Sequence, residues 1–495
     1  MKVLTVFFCL AALPVIARAE VVPDPDRGVY AIWARDHQVA ELDFVKGGQI
    51  FLQWKDLQTG LGEYDFDRLD AALKKHFKSD RPATIQVNGN RKPEFLYGTV
   101  PLVQEKLSKQ IRDDRGSLMY WHPNHADAYL AFVRAYGEHI CRSPYRNIVL
   151  GIRLNFNALG TEHLHVPKEY HKASRWRSAP EVPTGADWNR DIMAEYKKRV
   201  IRTFIESFRP HTRVFVRNNV VLDEELDSDI VQRFESGDLA LFHTSSEVQP
   251  RGPSTQRRYE AFLRWARTGK TLAYAESWAN AWGYHGGSRD QHWCSPCQWN
   301  YWRLLVDLHC GVSFIAVYGA DLEVAKTEPE FRSALDFAAR YAGYHASPSQ
   351  APGAWIALRG GEFLSGDYTF LMERLADASR PVKLVGPKDQ RYGAWARELP
   401  KGEEMSFRVD PRFLAAQAGK RLVIRVVYLD EGSGKFEVAG PDRCVSRSLT
   451  DSGRWLTAKW EVAAADLGAE KGANVIVKNS DQQLTLHMVE ICTAE

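Results

Sequence analysis

Two carboxylates in this 495-residue chain stand where acid–base and nucleophilic chemistry could occur. Glu276 directly follows the apolar run 271–275. Glu162 lies in the turn Asn157-Ala-Leu-Gly-Thr161-Glu162-His163, a few residues past the run 148–155. Two carboxyls facing one another across a pocket are what cleavage of a glycosidic bond needs. One protonates the leaving oxygen, and the other attacks the anomeric carbon or activates water. Their mutual repulsion is expected to keep one of them protonated as the acid. A separation of about 5–5.5 Å is expected if the second carboxyl is a nucleophile.

Other polar and aromatic side chains fall at the ends of apolar runs and become candidate substrate contacts. These are Trp54, Asn88, Trp121, Asn155, Asn157, His163, His243, Trp278, Trp282 and Tyr318. Aromatic rings present a flat face to the C–H face of a sugar, and Trp278, two residues past Glu276, is the best placed platform. The stretch after 155 also gathers His163, His165, Lys168, His171, Lys172, Arg175 and Arg177, a pattern suited to sulfate or carboxylate groups. No carboxylate or thiol completes a metal-ligand spacing with these histidines, so no metal and no cofactor are assigned.

Such residues need a scaffold that collects strand ends at one mouth. Short β-branched or aromatic runs occur at 29–33, 49–54, 83–88, 148–155, 213–218, 239–244, 271–276 and 312–318, as expected of parallel strands buried on both faces. Helical periodicity separates them at 67–77, 124–140, 190–208, 254–267, 298–309 and 328–344. Eight alternations predict an α/β (β/α)8 TIM barrel over residues 20–350, whose chemistry sits at the C-terminal ends of the strands. From 351 to 495 the pattern changes to alternating runs separated by Gly, Asp and Ser turns. This predicts an all-β, jelly-roll-like sandwich as an accessory domain, with room for a small β insert at 351–396. Within it, Trp395, Trp455 and Trp460 are read chiefly as core.

The run Gly48-Gln-Ile-Phe-Leu-Gln-Trp54-Lys-Asp-Leu57, followed by Gly62-Glu-Tyr-Asp-Phe-Asp-Arg-Leu-Asp70, resembles the strand, turn and helix start of the clan A retaining (β/α)8 glycoside hydrolases. The nearer likeness is to their β-galactosidase, agarase and carrageenase branch. The likeness covers about 300 residues of the barrel. It implies Glu162 as acid/base and Glu276 as nucleophile, acting on a galactan-type polysaccharide or oligosaccharide, with sulfated algal galactans among the candidates. That clan usually carries Asn directly before the first glutamate, whereas Thr161 stands here. Either the glutamate is displaced on a longer turn, or Asn157 supplies the usual contact to the sugar 2-hydroxyl. A glycan-binding protein on the same scaffold without catalysis is the alternative.

Composition bounds the rest. The chain is 44% hydrophobic and 26% charged, ordinary globular values. A net charge of +3 gives no whole-chain footprint for nucleic acid. No stretch past the N-terminus reaches the roughly 18 apolar residues of a span. Residues 1–19 read as a secretory signal: Lys2, an apolar stretch, then Ala17-Arg-Ala19. They predict a secreted or periplasmic protein. Export permits disulfides among Cys141, Cys294, Cys297, Cys310, Cys444 and Cys492. A Cys294–Cys297 loop staple is favoured over redox chemistry, and a Cys444–Cys492 bridge is conceivable. Oligomeric state is not readable.

Overall fold

The structure is a computed structural model. It describes residues 20–34, 41–209, 211–217, 228–244, 261–277, 294–360, 366–440, 444–468, 472–479 and 481–494. The sequence features at 1–19, Trp278 and Trp282 lie outside these residues.

Eight parallel strands close into a barrel in chain order. They are β1 (Gly28–Ile32), β2 (Val45–Gln53), β3 (Ala83–Asn88), β4 (Val149–Arg153), β5 (Arg213–Arg217), β6 (Ala240–Thr244), β7 (Ala273–Ser277) and β8 (Phe314–Tyr318). β8 closes on β1 from Gly28↔Phe314 to Ile32↔Tyr318. Each lies within a few residues of its predicted run. The reason is simple: strands buried on both faces read as continuous apolar stretches. Tyr30, Ile32, Leu150, Phe215, Phe242, Tyr274 and Phe314 fill the interior. Gly151 faces this interior, where a Cβ would come within 2.4 Å of the Phe215 ring.

The outer layer comprises α1 (Asp67–Lys78), α2 (Pro123–Arg142), α3 (Arg190–Phe208), α4 (Ser228–Glu235), α5 (Pro296–His309), α6 (Gly319–Thr327) and α7 (Pro329–Tyr341). In α2 the stripe Ala128, Phe132, Val133 and Tyr136 is buried. The Asn189 side chain caps α3 by accepting from the Ile192 amide at 2.9 Å. Ser295 and Gln298 form a reciprocal capping box on α5. Of the helix predicted at 254–267, the described part is a single π-type turn, Phe262–Ala266. Helices α4 and α6 were not predicted; both are too short to show a sustained apolar period.

Beyond the barrel, two antiparallel sheets form the sandwich. One holds β9 (Gly353–Ala357), β10 (Tyr368–Phe370), β12 (Arg380–Lys383), β13 (Trp395–Leu399), β15 (Arg421–Leu429), β18 (Trp455–Ala463) and β20 (Leu484–Thr493). The other holds β11 (Met372–Arg374), β14 (Glu404–Val409), β16 (Lys435–Ala439), β17 (Cys444–Ser448) and β19 (Val475–Asn479). The strands of 351–396 belong to these sheets. The larger sheet packs on the barrel's helices: Gln298 of α5 donates to the Tyr392 carbonyl at 2.6 Å, and Tyr341 of α7 donates to Glu490 at 2.5 Å. Trp395 and Trp455 are buried, and Trp460 is half-buried against Phe436.

The disulfide expectations are corrected. Among the described residues, none of the six cysteines is joined in a disulfide. Cys297 instead contacts the Ser295 hydroxyl at 3.2 Å, in the first turn of α5. Cys444 is exposed on one sheet and Cys492 is buried on the other.

Candidate active site

At the C-terminal mouth of the barrel lies a cleft of about 780 Å³. Glu162 and Glu276 both line it, as do Asn88, His163 and Tyr318. Both carboxylates are almost fully buried, with side chains 6% and 3% exposed. They do not face each other bare. The Arg153 guanidinium, at the end of β4, lies between them. One of its terminal nitrogens donates to Glu162 Oε1 at 2.7 Å, and the other donates to Glu276 Oε1 and, at 2.8 Å, to Gln86. The rigid fork of an arginine suits this double contact. The Phe242 ring lies beneath it, 3.8 Å from the guanidinium carbon. Arg217, at the end of β5, pairs with the second oxygen of Glu162. Charge neutralisation by two arginines therefore replaces the bare repulsion expected from the sequence.

A tight turn presents Glu162. Asn157 and Gly160 adopt left-handed backbone angles, φ 49° and 86°. The amides of Phe156 and Asn157 both donate to the Thr161 carbonyl, at 3.1 and 2.8 Å. Gln110, from the β3–α2 loop, accepts from the amides of Thr161 and Glu162 itself, at 2.9 and 3.2 Å. A side chain at Gly160 would collide with Gln110. Beneath the turn, the buried Lys92 ammonium donates to the carbonyls of Gly89, Asn157 and Gly160 at 2.6, 2.5 and 3.2 Å. Burial pushes its pKa well below the usual lysine value. Lys92 thus ties the β3 and β4 loops together.

Glu276 is placed by strand parity. Tyr274 and Glu276 face inward on β7, and Ser277 faces outward, where it donates to Asp307 of α5 at 2.7 Å. His243 faces outward too and meets Asp307 at 3.1 Å, as does Arg303 at 3.0 Å. Burial would raise the Asp307 pKa, but Arg303, His243 and Ser277 outweigh it and hold it below the usual range. Beside Glu276, burial and then the carboxylate's own charge push the Tyr318 phenol up. Burial, helped by Lys109, lowers His163, whose ring is 2.5 Å from the Ser108 hydroxyl.

Five predicted contacts are not at the cleft. Trp54 is fully buried against His125, Tyr129 and Phe132, and its indole donates to Gln58. Trp121 packs on Trp176 and borders a separate cavity at the start of α2. Asn155 and Asn157 are buried and donate to the Val87 carbonyl, holding the loops rather than meeting solvent. His243 lies between barrel and helix layer. The strand-four cations are also mostly elsewhere: Lys172 pairs with Asp187, and His171 stacks near Trp188.

Sequence reasoning missed several residues of the cleft, Arg153, Arg217 and Trp33 among them. Arg153 and Arg217 each end a strand; a charge closing an apolar run was the available signal. Trp33 follows β1, lines the cleft at 49% exposure and packs on Phe51 with ring centroids 4.3 Å apart. Its φ of 52° is uncommon for a bulky residue.

No family model and no curated relative matches the chain. Among solved structures it is similar to the catalytic domain of β-amylase from Paenibacillus polymyxa. The TM-score is 0.38 at 10% identity, covering 60% of this chain and 93% of that one. A ligand-bound family 5 xyloglucanase from Paenibacillus pabuli gives 0.38 at 8% identity, covering 63% and 98%. At that similarity neither carries an argument here, and the barrel rests on its own strand pairing.

Proposed function

We propose that the protein is an exported retaining glycoside hydrolase acting on β-linked galactan-type polysaccharides or oligosaccharides, sulfated ones among them. One observation carries the reading. Two buried carboxylates from separate strand ends are held by one guanidinium in a single cleft at the barrel mouth. Such sites are where TIM barrels place chemistry. In this reading Glu162 gives its proton to the glycosidic oxygen while Glu276 attacks the anomeric carbon. The C–O bond to the leaving sugar breaks and a glycosyl ester forms on Glu276. Glu162 then takes a proton from water, whose oxygen attacks the same carbon and releases Glu276. Arg153 fixes the spacing of both groups. The Arg217 contact on Glu162 must open for the proton to reach the leaving oxygen. Trp33 offers the sugar an apolar face beside Tyr318.

The test is a screen of purified protein on agar, porphyran, carrageenans and plant galactans, with product sizing. Glu162→Gln and Glu276→Gln are expected to fold normally and lose at least about 10³-fold in kcat. Full activity in either variant removes that residue from the mechanism. A second reading, glycan binding without hydrolysis, is favoured by one feature: both oxygens of Glu162 are already engaged by arginine. It predicts binding of a glycan with no reducing sugar released.

A further inference from the structure

The cleft is chemically lopsided. Besides Arg153 and Arg217, it is lined by Arg91, Lys109 and Arg112, all exposed and all from the β3–α2 loop. The two inner arginines are matched in charge by Glu162 and Glu276. Among the described residues the outer three have no ion-pair partner. The acids of that same loop are engaged chiefly elsewhere: Asp114 pairs with Lys106 at 2.7 Å and feels Arg91 only at longer range, Glu94 and Asp113 pair with Arg115, and Glu105 meets the Tyr170 phenol. Among the described residues, no carboxylate lies within ion-pair distance of Arg91, Lys109 or Arg112.

These cations are also held in place. Lys109 and Arg112 flank Gln110, whose side chain binds the backbone of Glu162. Arg91 follows Asn90, which donates to the Gln110 carbonyl at 2.7 Å and accepts from Thr161 at 3.2 Å. The Arg112 amide donates to the Asn90 carbonyl at 2.9 Å. The cationic face is therefore built onto the Glu162 turn. The opposite side, by Glu276, is aromatic: Tyr318 pairs in register with Ile32 of β1, and Trp33 follows.

Resting on the glycosidase reading, we infer that Arg91, Lys109 and Arg112 form a subsite for an anionic group carried by the leaving-group side of the glycan. The acid protonates the leaving oxygen, so groups built around Glu162 meet the sugar that departs. The sugar that is transferred to Glu276 sits toward Trp33 and Tyr318. A sulfate ester and a uronic carboxylate share the chemistry such a face recognises.

The experiment uses the full mature chain and three probes: short carrageenan oligosaccharides, the same material chemically desulfated, and oligogalacturonides. Binding is measured first, by titration calorimetry at low ionic strength. At least one anionic probe is expected to bind about tenfold or more tighter than the desulfated one, the worth of one charge-assisted hydrogen bond. High salt and the combined change Arg91→Gln, Lys109→Gln, Arg112→Gln should each reduce that preference to near unity. Which anionic probe binds distinguishes sulfate from carboxylate. Equal binding of all three probes overturns the subsite, whether or not any is cleaved. Cleavage tests the glycosidase reading separately: selective binding without hydrolysis keeps the subsite and overturns that reading. Where cleavage occurs in ¹⁸O water, the label enters the new reducing end, the sugar from the Glu276 side. The anionic residue should lie at the non-reducing end of the unlabelled fragment. Its preferential appearance at the labelled end contradicts the assignment to the leaving side.

Discussion

Replacing Lys92 by Met tests whether the turn bearing Glu162 is held from below. The ammonium is buried and donates to three carbonyls, on Gly89, Asn157 and Gly160. Methionine keeps the length of the chain and removes all three donors. Each buried carbonyl left without a partner costs about 1–3 kcal/mol. Relief from burying an ammonium returns several kcal/mol of that. The net expectation is a loss of about 3 kcal/mol in stability. Denaturant titration followed by tryptophan fluorescence measures it. Because Asn157 and Gly160 set the path of the chain into Glu162, turnover should fall as well. A displacement of about 1 Å at a catalytic group costs on the order of 10²-fold. A variant with stability within about 0.5 kcal/mol of the parent and unchanged kcat/KM refutes the reasoning.

Two further outcomes follow from the structure. Trp33→Gly removes the ring and relieves the φ of 52°; KM should rise about tenfold with kcat nearly unchanged, and stability should hold or rise by up to about 1 kcal/mol. A marked fall in stability with unaltered KM makes Trp33 a packing residue only. Burial holds His125 and His309 well below the usual imidazole pKa, and His345 and His487 at about 3. The unfolded chain therefore takes up protons first as pH falls below about 6.5, and stability should drop by roughly 1.4 kcal/mol per pH unit for each such histidine until its folded pKa is reached. A flat stability profile between about pH 6.5 and 4.5 contradicts this burial.

The barrel was legible because its strands are buried on both faces, and continuous apolar runs mark such strands plainly. The two glutamates were legible for a related reason: a carboxylate ending or closely following such a run has few structural uses. What failed was side-chain direction. Register pairs Phe242 with Tyr274 and His243 with Ala275. Since Tyr274 and Glu276 face inward, His243 faces out; the sequence held the parity on β7 but not the pairing. Trp54 leaves β2 through a short 3₁₀ turn that swings it under α2. Asn155 and Asn157 were placed at the mouth because they end or follow an apolar run, whereas their side chains turn back to the Val87 carbonyl. The cations moved from the strand-four loop to the β3–α2 loop for the same reason: loop closure is a tertiary fact.

The most direct test of the central claim is to trap the covalent intermediate. Incubation with an activated 2-deoxy-2-fluoro galactoside, then digestion and mass spectrometry, locates the sugar ester. Double displacement through Glu276 predicts an adduct on the peptide containing that residue, slow to hydrolyse, with inactivation matching its formation. An adduct on Glu162 or another residue, or complete turnover with inversion of the anomeric centre and no adduct, contradicts it.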